Sequence, residues 1–259
     1  MDVLQAIFRW FHILAGIIWI GHLYFFNFVN GPYQGVIDAE TKKKSNPELL
    51  PRALFWFRWG AAWTWITGIL LLLLVYYPGW RGGLMFEDGS SISSAAAIVM
   101  ILVNLLAFLA YDVLVNLSFA KDLKVLAPVS LVLIAVLLLL DIQVGGFSYR
   151  AFVIHTGAMF GTIMAFNVWF RIWPAQQKII AAVKAGTPPD AALVALAGTR
   201  SKHNTYMSVP LIWTMINQHT TAFSSRLGIP GWIWLLVFVA AGWWLTSMLY
   251  RQAAKVKGF

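Results

Sequence analysis

Seven stretches of the chain stay apolar for about 20 residues, the length of helix needed to cross a hydrocarbon layer of about 30 Å. They run roughly from Val3 to Val29, Leu54 to Tyr77, Ile92 to Phe119, Leu126 to Val144, Tyr149 to Pro174, His203 to Phe223 and Gly231 to Arg251. The pattern predicts an all-α integral membrane protein, a bundle of about seven transmembrane helices forming one domain over residues 1–259. The first run is too long and too polar at its end for a cleavable signal, and no small-residue cleavage site follows it. Pro188 and Pro189 break the long segment before the sixth run, and their flanks, 175–185 and 190–199, read as short helices lying at the membrane surface.

Basic residues orient these runs. Lys42, Lys43, Lys44 and Arg52 fall between the first two, Lys121 and Lys124 after the third, Arg171, Lys178, Lys184, Arg200 and Lys202 after the fifth, and Lys255 and Lys257 in the tail. The alternate loops hold one arginine each, Arg81, Arg150 and Arg226. Because cytoplasmic loops collect Lys and Arg, this alternation predicts the N-terminus outside and the C-terminus in the cytoplasm.

Composition agrees: 60% of residues are hydrophobic and 11% charged, a balance that a water-exposed surface does not tolerate. The formal charge of +9 sits in short runs between apolar segments, which points to lipid rather than nucleic acid as partner. There is no cysteine, so disulfides, thiolate metal sites and C-x-x-C-H haem attachment are excluded within these residues, and histidine is left as the strong metal ligand.

All five histidines fall on three of the runs, and the expected orientation gives each a depth. His22 follows His12 by ten residues, about 15 Å along a helix, and His219 follows His203 by sixteen, about 24 Å. His12, His155 and His219 are expected near the outer face, His22 and His203 near the inner one. Paired imidazoles from facing helices hold haem iron in apolar bundles, so one or two b-type haems are the leading cofactor expectation. Copper or another metal at the outer three histidines is the alternative. A lone histidine in a span is ordinarily a hydrogen-bonding partner for a neighbouring helix.

Other polar groups inside the runs also need partners, Asn104, Asp112, Asp141, Asn167 and Asn217 among them. Arg9 and Arg58 lie beside the outer and inner histidines, where a guanidinium suits a propionate or an anionic substrate; snorkelling to headgroups is the plainer role. In "FWFRWGAAWTWITG" (55–68), Trp56 and Trp59 fit an interfacial belt, and Trp63 and Trp65 fit packing on a helix or a flat cofactor. Gly16, Gly21, Gly157 and Gly161 offer small faces for close approach. A faint internal echo joins "GHLYFFNFVNGPYQ" (21–34) to "GTIMAFNVWFRIWPAQ" (161–176), each with Gly, then F-N, then P-x-Q.

The stretches "FHILAGIIWIGHLYFFNFVNGPYQ" (11–34), "RWGAAWTWITG" (58–68), "NVWFRIWPAQ" (167–176) and "RSKHNTYMSVPLIWTMINQH" (200–219) carry a resemblance. They look like the membrane region of the bacterial cytochrome-c-linked urate oxidases, the urate oxidase N-terminal domain family, along almost the whole chain. The resemblance implies a membrane oxidoreductase that converts urate to 5-hydroxyisourate and passes electrons to a cytochrome c. It maps onto His203, Asn204, Thr205, Ser208, Asn217 and His219, with His22, Asn27 and Arg58 from the other stretches. Full-length family members continue into an eighth span and a cytochrome c domain; here no C-x-x-C-H occurs before Phe259. The acceptor is therefore expected on a separate cytochrome c or other electron-transfer subunit, or else the chain is a non-catalytic haem-binding or structural subunit of a respiratory or other electron-transfer complex.

For urate chemistry, His155 or an unligated histidine is the candidate base, Arg9 or Arg58 the orienting cation, with Asn217 from the shared motif beside them. In the sixth run, Pro210 is expected to kink the helix, with Ser208, Thr214 and Thr220 covering the carbonyls it frees.

Overall fold

The computed structural model describes residues 2–78, 84–87 and 93–256. Arg81 and Lys257, two of the orienting charges, and Ile92, where the third apolar run begins, lie outside the described residues. Among those described, the chain forms helices α1 (Asp2–Tyr24), α2 (Gly31–Val36), α3 (Ala39–Val75), α4 (Ser94–Leu114), α5 (Leu123–Gln143), α6 (Tyr149–Asn167), α7 (Trp173–Ala185), α8 (Ala191–Asn217) and α9 (Gly231–Ala253). Two π-helical turns, Phe25–Asn30 and Val168–Ile172, weld α1 to α2 and α6 to α7, which leaves seven helical runs. Six of these are long and apolar enough to cross a membrane.

The remaining run, α8, has the length but not the apolarity. Its polar residues are too many for it to read as a span by composition, and it ends at Asn217, so His219 and Thr220 stand in the turn beyond rather than on the helix.

Several boundaries differ from the expected ones. The segment from Ala39 to Ala53, expected as loop, is the first part of α3. Its start is fixed by Asp38, whose carboxylate accepts from Thr41 N at 2.9 Å and Thr41 Oγ1 at 2.7 Å. Exposed Glu40–Lys44 and Glu48–Arg52 pairs at 2.6 and 2.8 Å then support successive turns, although Pro47 and Pro51 each remove a backbone bond. The stretches 175–185 and 190–199 are not separate surface helices. The first continues the helix begun at Tyr149, because Pro174 sits in the opening turn of α7, where its missing N–H costs nothing. The second opens α8, with Asp190 Oδ1 accepting from Ala192 N at 2.8 Å. Gly186, at φ 75°, terminates α7 in the left-handed conformation that favours glycine.

Contacts divide the chain into two compact units. One comprises Met1–Gln5, Ile69–Ile163 and Val209–Trp243, the other Ala6–Gly68, Met164–Ser208 and Trp244–Phe259. In the first, Met85, Leu138, His155 and Leu235 are fully buried, and Trp213 stacks on Phe238 with ring centroids 4.3 Å apart. Gly242 of α9 lies against Pro210 of α8 so closely that a Cβ would stand 2.8 Å from Pro210 Cδ. In the second, Trp19, Leu23, Phe57 and Met164 are fully buried, and Gly60 of α3 admits the α1 backbone, a Cβ there falling 2.9 Å from Trp19 N.

Candidate functional site

In the second unit, the polar residues of α8 meet two π-helical turns. A π turn carries one residue more than an α turn and turns a side chain out of the regular register, a device frequent at functional sites. Asn27, inside the first π turn, donates from Nδ2 to Leu23 O at 2.9 Å and to Ser201 Oγ at 2.8 Å, while its Oδ1 accepts from Tyr250 Oη at 2.8 Å. Asn167, the residue before the second π turn, donates to Asn204 Oδ1 at 2.9 Å, and Asn204 returns a bond to Met164 O at 2.9 Å.

Ser201 and Asn204 are three apart, so both asparagines reach one face of α8. Ser208, another turn along, bonds Tyr24 Oη at 3.0 Å and the Thr205 carbonyl at 2.8 Å. These are the two asparagines of the internal echo, and each is followed by a proline in the first turn of the next helix, Pro32 and Pro174. The echo is thus matched by a shared local geometry. Beside it lies a cavity of about 240 Å³ lined by Phe26, Asn27, Leu54, Phe57, Gln176 and Ser201, among others.

His22 belongs to this unit. Its Nδ1 faces the Ile18 carbonyl at 2.7 Å, four residues back, so Nδ1 carries the proton and Nε2 is the nitrogen with a lone pair to offer. A Cβ on the neighbouring Gly21 would meet nothing within 4 Å. His12 is in the same unit with Nδ1 3.1 Å from Thr67 Oγ1, its ring lying over Gly68. His203 is buried, only 8% exposed.

His155 lies in the first unit and is fully buried. Nδ1 faces the Ala151 carbonyl at 2.8 Å and Nε2 lies 3.1 Å from Tyr77 Oη, with the Phe147 ring centroid 4.8 Å away. Both ring nitrogens are therefore committed. His219, in the exposed turn after α8, sits 2.9 Å from the side-chain nitrogen of Gln218, whose oxygen accepts from Tyr76 Oη. The contacts group His155 and His219 in one unit and His12, His22 and His203 in the other. Among the described residues, no three of His, Asp and Glu gather as a metal site.

Arg58 lies half-buried with its guanidinium carbon 4.0 Å from the Trp173 ring centroid, and 5.7 and 5.8 Å from those of Phe55 and Trp169. Trp169 Nε1 also donates to the Arg58 carbonyl at 2.9 Å. Arg9 is exposed on α1. Asn217 donates to the Trp213 carbonyl at 3.1 Å as the last residue of α8. Trp65 packs on Phe166 at 5.5 Å, a neighbouring helix rather than an open face. Sequence reasoning missed Tyr77, Ser201, Tyr250 and Gln176; of these Gln176 had a signal in the P-x-Q echo and Ser201 in its place within the resembling stretch 200–219.

A haem requires an imidazole nitrogen with a free lone pair whose ring is held by its other nitrogen. His22 fits this requirement, with Nδ1 anchored on a backbone carbonyl. His155 as packed does not, its Nε2 being occupied by Tyr77.

An all-α chain with six helices of this length and apolarity is a multi-pass membrane protein. The chain belongs to the urate oxidase N-terminal family, whose model matches residues 33–257. Three of the resembling stretches, 58–68, 167–176 and 200–219, fall inside that match, whereas His12, His22 and Asn27 precede it. No curated protein and no solved structure matches the chain.

Proposed function

We propose that this chain is a membrane oxidoreductase or electron-transfer component, binding b-type haem through histidine and passing electrons to a cytochrome c carried on another polypeptide. Family membership supports a reaction class in which urate would be oxidised to 5-hydroxyisourate. The observation that carries the haem reading is His22, its Nδ1 tied to Ile18 O and its Nε2 left as a ligand. His203, buried in the same unit, is the second histidine we assign to iron. The haem, when bound, supplies a one-electron sink. The protein's own part is to fix the imidazoles, exclude water with Trp19, Leu23 and Phe57, and hold α8 in place through Asn27 and Asn167. The placement of lysine and arginine supports an N-out, C-in arrangement in the bacterial inner membrane.

A second reading, an electron-transfer or structural subunit without urate chemistry, is favoured by His155. A base must reach its substrate proton, and this ring is enclosed with both nitrogens taken.

A reduced-minus-oxidised optical spectrum of the purified protein, with a pyridine haemochrome assay, tests both. A b-type signal that is lost in His22→Ala supports haem at that histidine. Absence of any Soret band ends the haem reading. Haem-loaded protein that leaves urate unchanged with an artificial acceptor selects the second reading.

A further inference from the structure

The first unit holds a carboxyl that neither reading uses. Asp141, near the end of α5, and Asn104, midway along α4, are both fully buried between apolar helices. Asn104 Nδ2 donates to Met100 O at 3.0 Å and to Asp141 Oδ1 at 2.8 Å, which uses both of its hydrogens. Two oxygens remain without partners, Asn104 Oδ1 and Asp141 Oδ2.

An ionised carboxylate with one amide bond and an unpartnered oxygen would be a nearly uncompensated charge in a low-dielectric site, at a cost of several kcal/mol. Among the described side chains of α4 and α5 no cation lies close enough to offset it. Apart from Asp141 itself, the charged side chains of α4 and α5 are Asp112 and Lys124, about 12 Å along α4 from Asn104 and about 25 Å along α5 from Asp141 by helical rise. Among the described residues between α3 and α4 the charged side chain is Glu87, whose Oε1 accepts from Tyr149 N at 3.0 Å. One added hydrogen would resolve the inventory: carried on Asp141 Oδ2 and given to Asn104 Oδ1, it would close a reciprocal acid–amide pair in which each buried oxygen has a partner.

We propose that Asp141 is a proton-binding site within the membrane-spanning part of the chain, held as a neutral carboxylic acid by its reciprocal pair with Asn104. The ligand is a proton, and the residues that hold it are these two. Carboxyls set this way inside spans are stations for proton movement, so the site gives the chain a place to store one proton in hydrocarbon. The inference stands apart from haem and urate, since neither enters it.

Infrared spectroscopy of the full chain in lipid at neutral pH reads the site directly. A carbonyl band of a protonated carboxylic acid, shifting when water is exchanged for heavy water, is expected in the native protein and in Asp112→Asn, and lost in Asp141→Asn. The asparagine variant keeps an amide pair with Asn104, so it should fold. Should it fail to, native protein grown with isotope-labelled aspartate gives the same answer, because only a protonated aspartate shifts in that band. Absence of the band, with all aspartates reading as carboxylates, overturns the proposal. So does a sodium-dependent rise in melting temperature that disappears in Asp141→Asn, which would make the ligand a metal cation.

Discussion

The Tyr77 hydroxyl donates to Nε2 of His155 at 3.1 Å, a direction fixed by the other ring nitrogen, which faces the Ala151 carbonyl and must carry the imidazole proton. The neutral tautomer is thus set by the backbone of α6. Replacing Tyr77 by Phe leaves a buried acceptor without its donor, which costs about 1–3 kcal/mol. Denaturation of Tyr77→Phe in detergent should show a loss of that size, and His155→Phe in the same background should lose less than it does alone. Equal stability of Tyr77→Phe and the native protein would show that His155 is not locked in this way.

The bond between the echo asparagine Asn167 and Asn204 of α8 makes a second prediction. Asn167 and Asn204 are both fully buried and joined at 2.9 Å. A double-mutant cycle of Asn167→Ala and Asn204→Ala should give a coupling energy of about 0.5–3 kcal/mol, because each single variant strands the other's amide. Strictly additive losses would mean that the bond contributes nothing to α8 placement.

What the sequence made legible was set by the range of each signal. Apolar run length depends on local composition alone, and each of the seven runs holds a helix, although the sixth stops at Asn217, short of Phe223. The sixth run, α8, was read through its histidines, yet its polarity is spent largely on Ser201, Asn204, Thr205 and Ser208, which bond α1, α6 and α8 itself. Partners 78 to 223 residues apart leave no local trace, so Tyr24, Tyr77 and Tyr250 were invisible. Pro210 does sit inside α8, but the carbonyl its missing N–H leaves is that of Tyr206, whereas Ser208 and Thr214 bond those of Thr205 and Leu211. Thr220 lies past the end of the helix, and its hydroxyl accepts from Ala222 N. The glycines show the same limit. Gly157 is a contact face, pressed against Thr214 and Met215, but Gly21 faces nothing, and Gly60 and Gly242 passed unnoticed.

Gly60 carries a prediction of its own. The atoms nearest to an added Cβ are backbone, Trp19 N at 2.9 Å and Trp19 Cα at 3.2 Å, so no side chain can swing aside to make room. Gly60→Ala should force α1 and α3 apart and cost about 1–3 kcal/mol, despite the better helix propensity of alanine. Gly21→Ala, where nothing lies within 4 Å, is the matched control and should be neutral or stabilising. If the two variants melt together, the close approach at Trp19 is not real.

Asp38 sets the pH response of the segment that opens α3. Hydrogen bonds from the Thr41 backbone and hydroxyl favour its ionised form and hold the carboxyl below its usual value of 3.8. A depressed folded-state value means that the stabilisation is complete above the unfolded pKa and is lost as pH falls through the folded one. Acidification below about pH 4 should therefore fray the start of α3 first. Hydrogen exchange at residues 39–46 should accelerate there relative to the middle of the helix, after correction for the intrinsic pH dependence of exchange. In Asp38→Asn that extra acceleration should vanish, because asparagine still accepts from Thr41 but does not titrate. Acceleration that persists in the variant would place the acid sensitivity elsewhere, with Glu48 the next candidate, since Arg52 holds its carboxyl low as well.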